Sequence, residues 1–243
     1  MPPEAKRVFI TGGGRGIGAA ISATLGAAGC HVLVGYARGE AAARQTADAI
    51  VAAGGSAETL ACDVTDLDGF ARVAGAVGAL DALVHNAGLL IGGPLGTTRV
   101  EDFDALYEVT LKGPYFLTQA LAPQLVDGGR LLFVSSSTAE RAAAMFPGYA
   151  AMKAGQIHLV KSLALALGPR GITVNAIGPG LTATDMTGEL ARDPAIIARV
   201  TANTALGRMG TPQDIADAVA LLLSDKAGWI TGQYVGTHGG VAL

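Results

Sequence analysis

The segment GYAAMKAG carries a tyrosine and a lysine four residues apart, Tyr149 and Lys153. On a helix that spacing places both side chains on one face. A phenol with a pKa of about 10 is a poor base at neutral pH. A neighbouring ammonium stabilises the phenolate and lowers that value, so the pair can exchange a proton with an alcohol or ketone oxygen. Upstream, the run FVSSSTA ends on Ser135, Ser136 and Ser137. A serine hydroxyl at a strand end can hold the same oxygen, and a hydride donor or acceptor beside it would complete an alcohol–ketone interconversion. The same spacing also suits an exposed packing pair, so the two residues alone leave both readings open.

The stretch VFITGGGRGIGAAI, residues 8–21, feeds an apolar run into five glycines and then into an alanine-rich segment. A strand is predicted to end at Thr11 and a helix to begin near Ile17. Gly12, Gly14, Gly16 and Gly18 permit a tight turn and a close approach to a pyrophosphate on the exposed N–H groups of the helix start, with Arg15 and Ile17 inside that cradle. No Gly-Lys-Ser/Thr follows, and the spacing is not GxGxxG, so a purely structural turn is the alternative. Dinucleotide sites that accept NAD place an acid about 20 residues on, against the ribose hydroxyls. Here the second predicted strand ends in VGYARGE, with Tyr36 in the acid's place and Arg38 after it. Two guanidinium groups, from Arg15 and Arg38, favour a 2′-phosphate and hence NADP(H). Ordinary solvated charges are the alternative reading of the arginines, and Glu40, in the next predicted helix, is the rival acid.

Strand-like runs fall at 7–11, 31–36, 57–63, 81–87, 130–136, 172–178 and 233–237, with alanine-rich helical stretches between them. The runs are continuously apolar, as in parallel strands buried on both faces. The pattern predicts an α/β chain: a doubly wound, Rossmann-type parallel sheet of about seven strands with helices on both faces. No linker divides it, so 1–243 reads as a single dinucleotide-binding and catalytic domain. The irregular stretch 182–209 reads as a substrate lid. Ligands in such sheets bind outside the carboxyl ends of the strands.

Charged residues make up 15% and hydrophobic ones 50%, with a formal net charge of −3. That balance gives no footprint for nucleic acid or an anionic membrane. Cys30 and Cys62 form no CxxC, and the histidines are scattered, so no metal site is expected. No signal peptide and no membrane span are predicted, and the expected compartment is the cytoplasm.

TGGGRGIG, HNAG (85–88), SSS followed by YxxxK, and NAIGPG (175–180), in that order, resemble the short-chain dehydrogenase/reductase family over nearly the whole chain. The likeness is nearest to the 3-oxoacyl-[acyl-carrier-protein] reductase-like branch. The resemblance implies Tyr149 as acid/base and Lys153 as the group that lowers its pKa and holds the nicotinamide ribose. Among the serines it picks Ser136, thirteen residues before Tyr149, with Ser137 as runner-up. Asp63 and Val64 would contact the adenine. Asn86, Ala87 and Gly88 would line the cofactor, and Pro179, Gly180, Thr182 and Thr184 would border the nicotinamide. The implied activity is NADPH-dependent reduction of a small carbonyl compound, a ketone or β-keto ester, with pro-S hydride transfer. A fatty-acid 3-oxoacyl reductase is the alternative, and a catalytically idle dinucleotide-binding sensor is the reading from another class. Family members commonly form homotetramers.

The chain departs from the family pattern in two places. VTLKG puts Thr110 where many members carry an asparagine whose helix kink leaves a carbonyl free to bind a water serving the lysine. Threonine keeps the carbonyl, and its hydroxyl can bond back to the preceding turn. The second concerns docking of an acidic acyl carrier protein. Arg170 matches one basic position beside the entrance, but Asp127 stands where a second base is expected. An acid there repels such a partner and favours a free substrate.

Overall fold

In the computed structural model, which describes residues 5–188 and 190–241, the inner strands divide their side chains between two cores. In β1 (Arg7–Ile10), Val8 and Ile10 join one core and Phe9 joins the other. Strands covered on both faces have no polar side to show, which is why the sequence runs are continuous. The others are β2 (His31–Tyr36), β3 (Ser56–Ala61), β4 (Leu80–His85), β5 (Leu125–Val134), β6 (Thr173–Pro179) and β7 (Tyr234–Thr237). All pair in parallel in the order β3-β2-β1-β4-β5-β6-β7.

The helices are α1 (Gly16–Ala27), α2 (Glu40–Ala52), α3 (Phe70–Val77), α4 (Val100–Tyr107), α5 (Gly113–Leu121), α6 (Pro147–Leu167), α7 (Pro194–Ala202) and α8 (Pro212–Leu223). Ile21 and Leu25 of α1 and Ile215 and Val219 of α8 cover one face of the sheet. Leu117 and Leu121 of α5 and Val160 of α6 cover the other, with Phe70 and Val73 of α3. The strand order reverses between β1 and β4, and a crevice opens there at the carboxyl ends.

Two elements differ from the sequence reading. β5 begins at Leu125 instead of Arg130, because its register against β4 shifts between Leu80 and Ala82. Gly128, at φ 78°, carries that irregularity. Between α4 and α5, residues Glu108–Lys112 form a π-helical turn. The predicted lid contains one nine-residue helix, α7, capped by Asp193, whose side chain accepts from the N–H of Ala195. No helix among the described residues is long and apolar enough to cross a membrane.

Candidate active site

The glycine loop joins β1 to α1 at the crevice. Thr11 Oγ1 accepts from the N–H groups of Asn86 and Ala87, each at 3.0 Å. Asn86 Nδ2 donates in return to the carbonyls of Thr11 (3.1 Å) and Gly12 (2.9 Å). Asn86 therefore staples the loop to the end of β4, besides standing where the cofactor was expected. A Cβ at Gly18 would lie 2.1 Å from the Gly12 carbonyl oxygen, so only glycine lets α1 start this close to the loop. Gly14 was expected at the cofactor, but its open side faces α2, where a Cβ would lie 2.7 Å from the Ala43 backbone. The fold thus adds a packing reason for that glycine.

Among the described residues no side chain caps α1, and its first turn holds no acid. The N–H groups and positive dipole end of this helix are left for an anion, so the site fits a pyrophosphate. Tyr36 ends β2, half-buried against the core, and supplies no carboxylate. Glu40, the rival acid, pairs with Arg44 at 2.9 Å. Arg15 and Arg38 are exposed, and the Arg15 side chain reaches Gly39, 3.9 Å from where its Cβ would stand. Arg15 thus reaches the residue that follows Arg38. Beyond β3, Asp63 Oδ1 accepts from Thr65 N–H (2.9 Å) and Thr65 Oγ1 (2.8 Å), which leaves its second oxygen for a donor. Val64 beside it is buried.

The three serines follow β5 and part company. Ser135 turns inward, and its hydroxyl donates to the Lys153 carbonyl at 3.1 Å. Ser136 caps the short turn Ser137–Ala139. Its hydroxyl lies near Tyr149 and pulls the phenol's pKa down, against a larger upward push from burial. Lys153 is not among the groups that shift this phenol. The Lys153 Nζ is buried, donates to the Val134 carbonyl at 2.8 Å and lies 5.8 Å from the Tyr149 ring centre. Burial pushes the Lys153 ammonium down to about 8. A Cβ at Gly88 would lie 3.9 Å from both Lys153 Nζ and Met186 Cε, so the end of β4, the lysine and the lid converge. His85 of the HNAG motif stays neutral, with burial pushing its pKa down to about 3.

Thr110 lies buried in the π-helical turn. Its hydroxyl, expected to bond back to the preceding turn, has no hydrogen-bond partner among the described residues. The wider π turn moves the carbonyls away from the positions that an α-helical threonine reaches. Pro114, four residues on, has no N–H to give the Thr110 carbonyl. Gln156 Nε2 of α6 takes that carbonyl at 2.8 Å. A carbonyl accepts two bonds, so one remains.

Pro179 ends β6 beside Thr237 of β7. Gly180 abuts His238, and Thr182 Oγ1 donates to the Gly180 carbonyl at 3.1 Å. Thr184 returns to the glycine loop, its side chain 3.3 Å from where a Cβ on Gly16 would be. The segment predicted as a lid thus starts against the glycine loop. Arg170, expected beside the entrance, lies before β6, at the amino ends of the strands, whereas Ser136 lies at their carboxyl ends. Its guanidinium is consumed by Asp127 (2.8 Å) and the carbonyls of Ala122 and Leu125.

Thr11, Thr138, Gln156 and Tyr234 were missed by the sequence reading. Thr11 had a signal, since a hydroxyl at a strand end can bind the neighbouring strand's N–H groups. Gln156 and Tyr234 touch the site through long-range packing that local spacing does not encode, whereas Thr138 binds Ser136 from two residues on.

Residues 12–242 match the family described as enoyl-(acyl carrier protein) reductase. The chain is 33% identical over 252 residues to a versicolorin reductase of Emericella nidulans, covering 98% of this chain and 96% of that one. It superposes on a short-chain dehydrogenase/reductase from Serratia marcescens at TM-score 0.91, with 33% identity over 100% of both chains. The angucycline C-6 ketoreductase LanV, solved with bound NADP, gives TM-score 0.90 and 35% identity over 98% of this chain and 95% of that one.

Proposed function

The chain belongs to the short-chain dehydrogenase/reductase family of oxidoreductases, and from that premise we propose that it reduces a ketone or β-keto ester to a secondary alcohol with NADPH. The bound cofactor supplies a hydride to the carbonyl carbon. Tyr149 Oη gives its proton to the carbonyl oxygen, and the resulting phenolate is then reprotonated. Ser136 donates a hydrogen bond to the same oxygen and orients it. Lys153, as ammonium, holds the ribose and stabilises the phenolate when cofactor and substrate complete the site. The spare lone pair of the Thr110 carbonyl serves the proton path to Lys153. Arg15 and Arg38 take the 2′-phosphate, Asp63 and Val64 the adenine edge, and Ala87 and Gly88 the ribose side. Pro179, Gly180, Thr182 and Thr184 border the nicotinamide, and residues 182–209 close over the substrate.

The observations that support this reading best are the buried Ser136 and Lys153 with the half-buried Tyr149, and the uncapped start of α1. Protons and an anionic cofactor would meet there. A relative that is a versicolorin reductase and a structural neighbour that is a ketoreductase with NADP agree with it. The engagement of Arg170 by Asp127 favours a free substrate over one carried on an acidic protein. The unpaired cysteines Cys30 and Cys62 suit a cytoplasmic setting. The test is oxidation of NADPH and of NADH with free ketones, β-keto esters and a carrier-bound 3-oxoacyl substrate. Turnover of free carbonyls with NADPH supports the reading. Turnover of the carrier-bound substrate alone, or tight NADPH binding without turnover of any carbonyl, would overturn it.

A further inference from the structure

A serine hydroxyl has one proton to donate and two acceptor sites. Both acceptor sites of Ser136 Oγ are filled from a single residue. The Thr138 N–H donates to it at 3.2 Å and Thr138 Oγ1 at 2.9 Å. Ser136 itself has extended backbone (φ −165°, ψ 153°) that aims the side chain back over the turn. The same residue is fixed from the far side of the sheet. Tyr234 of β7 donates its hydroxyl to the Ser136 carbonyl at 3.0 Å. The ring crosses β6 at Gly178, where any Cβ would fall 1.8 Å from the tyrosine oxygen.

We propose that Thr138 is a positioning residue for the reaction: by occupying both acceptor sites of Ser136 Oγ it leaves the serine able only to donate its one proton, to the Tyr149 oxygen or, once substrate is bound, to the carbonyl oxygen. Without that constraint a serine hydroxyl beside a phenol has two choices. It can donate to the phenol oxygen, which favours the phenolate, or accept the phenol's proton, which favours the neutral phenol. Thr138 removes the second choice. A carbonyl substrate has only lone pairs to offer, so a serine committed to donation also matches it. Tyr234 keeps the Ser136 backbone from turning to undo this. The charged group facing Tyr149 is Lys153 of the same helix, and among the described residues the side-chain bonds of Thr138 go to Ser136. The effect therefore passes through Ser136. The inference rests on the proposed reductase reading for its consequence in turnover, but its geometry stands apart from any substrate.

The test titrates Tyr149 in the cofactor-free protein by NMR of tyrosine isotope-labelled at Cζ, with Tyr149→Phe assigning the resonance. Thr138→Val, and Thr138→Ala as a second variant should the first fail to fold, are expected to titrate higher than wild type by about half to one pH unit. Thr138→Ser, which keeps both donors, is expected to titrate as wild type does. In a Ser136→Ala background, Thr138→Ala is expected to leave the Tyr149 titration unmoved. Superimposable curves for wild type and the valine and alanine variants would overturn the proposal, as would an equal shift in the Ser136→Ala background. In turnover, Thr138→Val is expected to lose roughly tenfold in kcat with KM nearly unchanged, and Thr138→Ser to recover it. Absence of turnover in wild type would overturn the reductase reading alone, since the titration needs none.

Discussion

Replacing Asn86 with alanine removes the staple between β4 and the glycine loop. The side chain makes two bonds from one amide, at 3.1 Å to the Thr11 carbonyl and 2.9 Å to that of Gly12. Each neutral bond contributes about 1 kcal/mol net. The variant should therefore lose about 2 kcal/mol of stability, provided the Thr11 hydroxyl keeps its own bonds to the backbone of 86 and 87. For a domain of this size that is a fall of roughly 4–8 °C in Tm. Some of the loss should reappear in cofactor binding, because the Gly12 carbonyl is also what α1 packs against at Gly18. Urea unfolding with and without NADPH separates the two. The expected result is a lower midpoint without cofactor, and a weaker NADPH Kd by about fivefold if half of that energy served to preorganise the loop. An unchanged midpoint would refute the reasoning, because the staple would then carry no free energy.

The double variant Arg15→Ala with Arg38→Ala should raise the NADPH KM by roughly tenfold or more and leave that of NADH nearly unchanged; an equal effect on both would assign the arginines no part in the 2′-phosphate. Thr110→Asn should keep or raise kcat, because both residues present the same backbone carbonyl, and a loss of about tenfold would contradict that. Lys153 is held down at about 8, below its ordinary value, by burial. The unfolded chain therefore binds the extra proton across the window above 8, and stability contributed by this group rises with pH there. Subtracting the pH profile of urea midpoints of Lys153→Met from that of wild type should show that rise, and a flat difference would contradict the burial argument.

The periodic parts of the chain were legible. The apolar runs at 31–36 and 81–87 became β2 and β4 because strands covered on both faces must be apolar throughout. Tyr149 and Lys153 share a helix face, as their spacing required. What escaped the sequence was set by contacts between distant residues. Lys153 was expected to depress Tyr149, yet burial dominates both groups and the ammonium is bound by Val134. Thr110 read as an α-helical residue, whereas the turn there is π-helical and its carbonyl belongs to Gln156, 46 residues away. Gly14 was expected at the phosphate with Gly12, Gly16 and Gly18, and the fold adds a packing reason for it, the close approach of α2. Arg170 read as a docking base because its motif matched; only the fold shows that Asp127 and two carbonyls hold it.

The central claim is that Tyr149 moves the proton in a carbonyl reduction driven by NADPH. The most direct measurement runs wild type and Tyr149→Phe side by side on one active ketone, with the NADPH Kd of each determined by fluorescence titration. The account predicts turnover in wild type, loss of at least about a thousandfold in kcat for Tyr149→Phe, and NADPH affinity within about threefold between them. Turnover by Tyr149→Phe within about tenfold of wild type would contradict it.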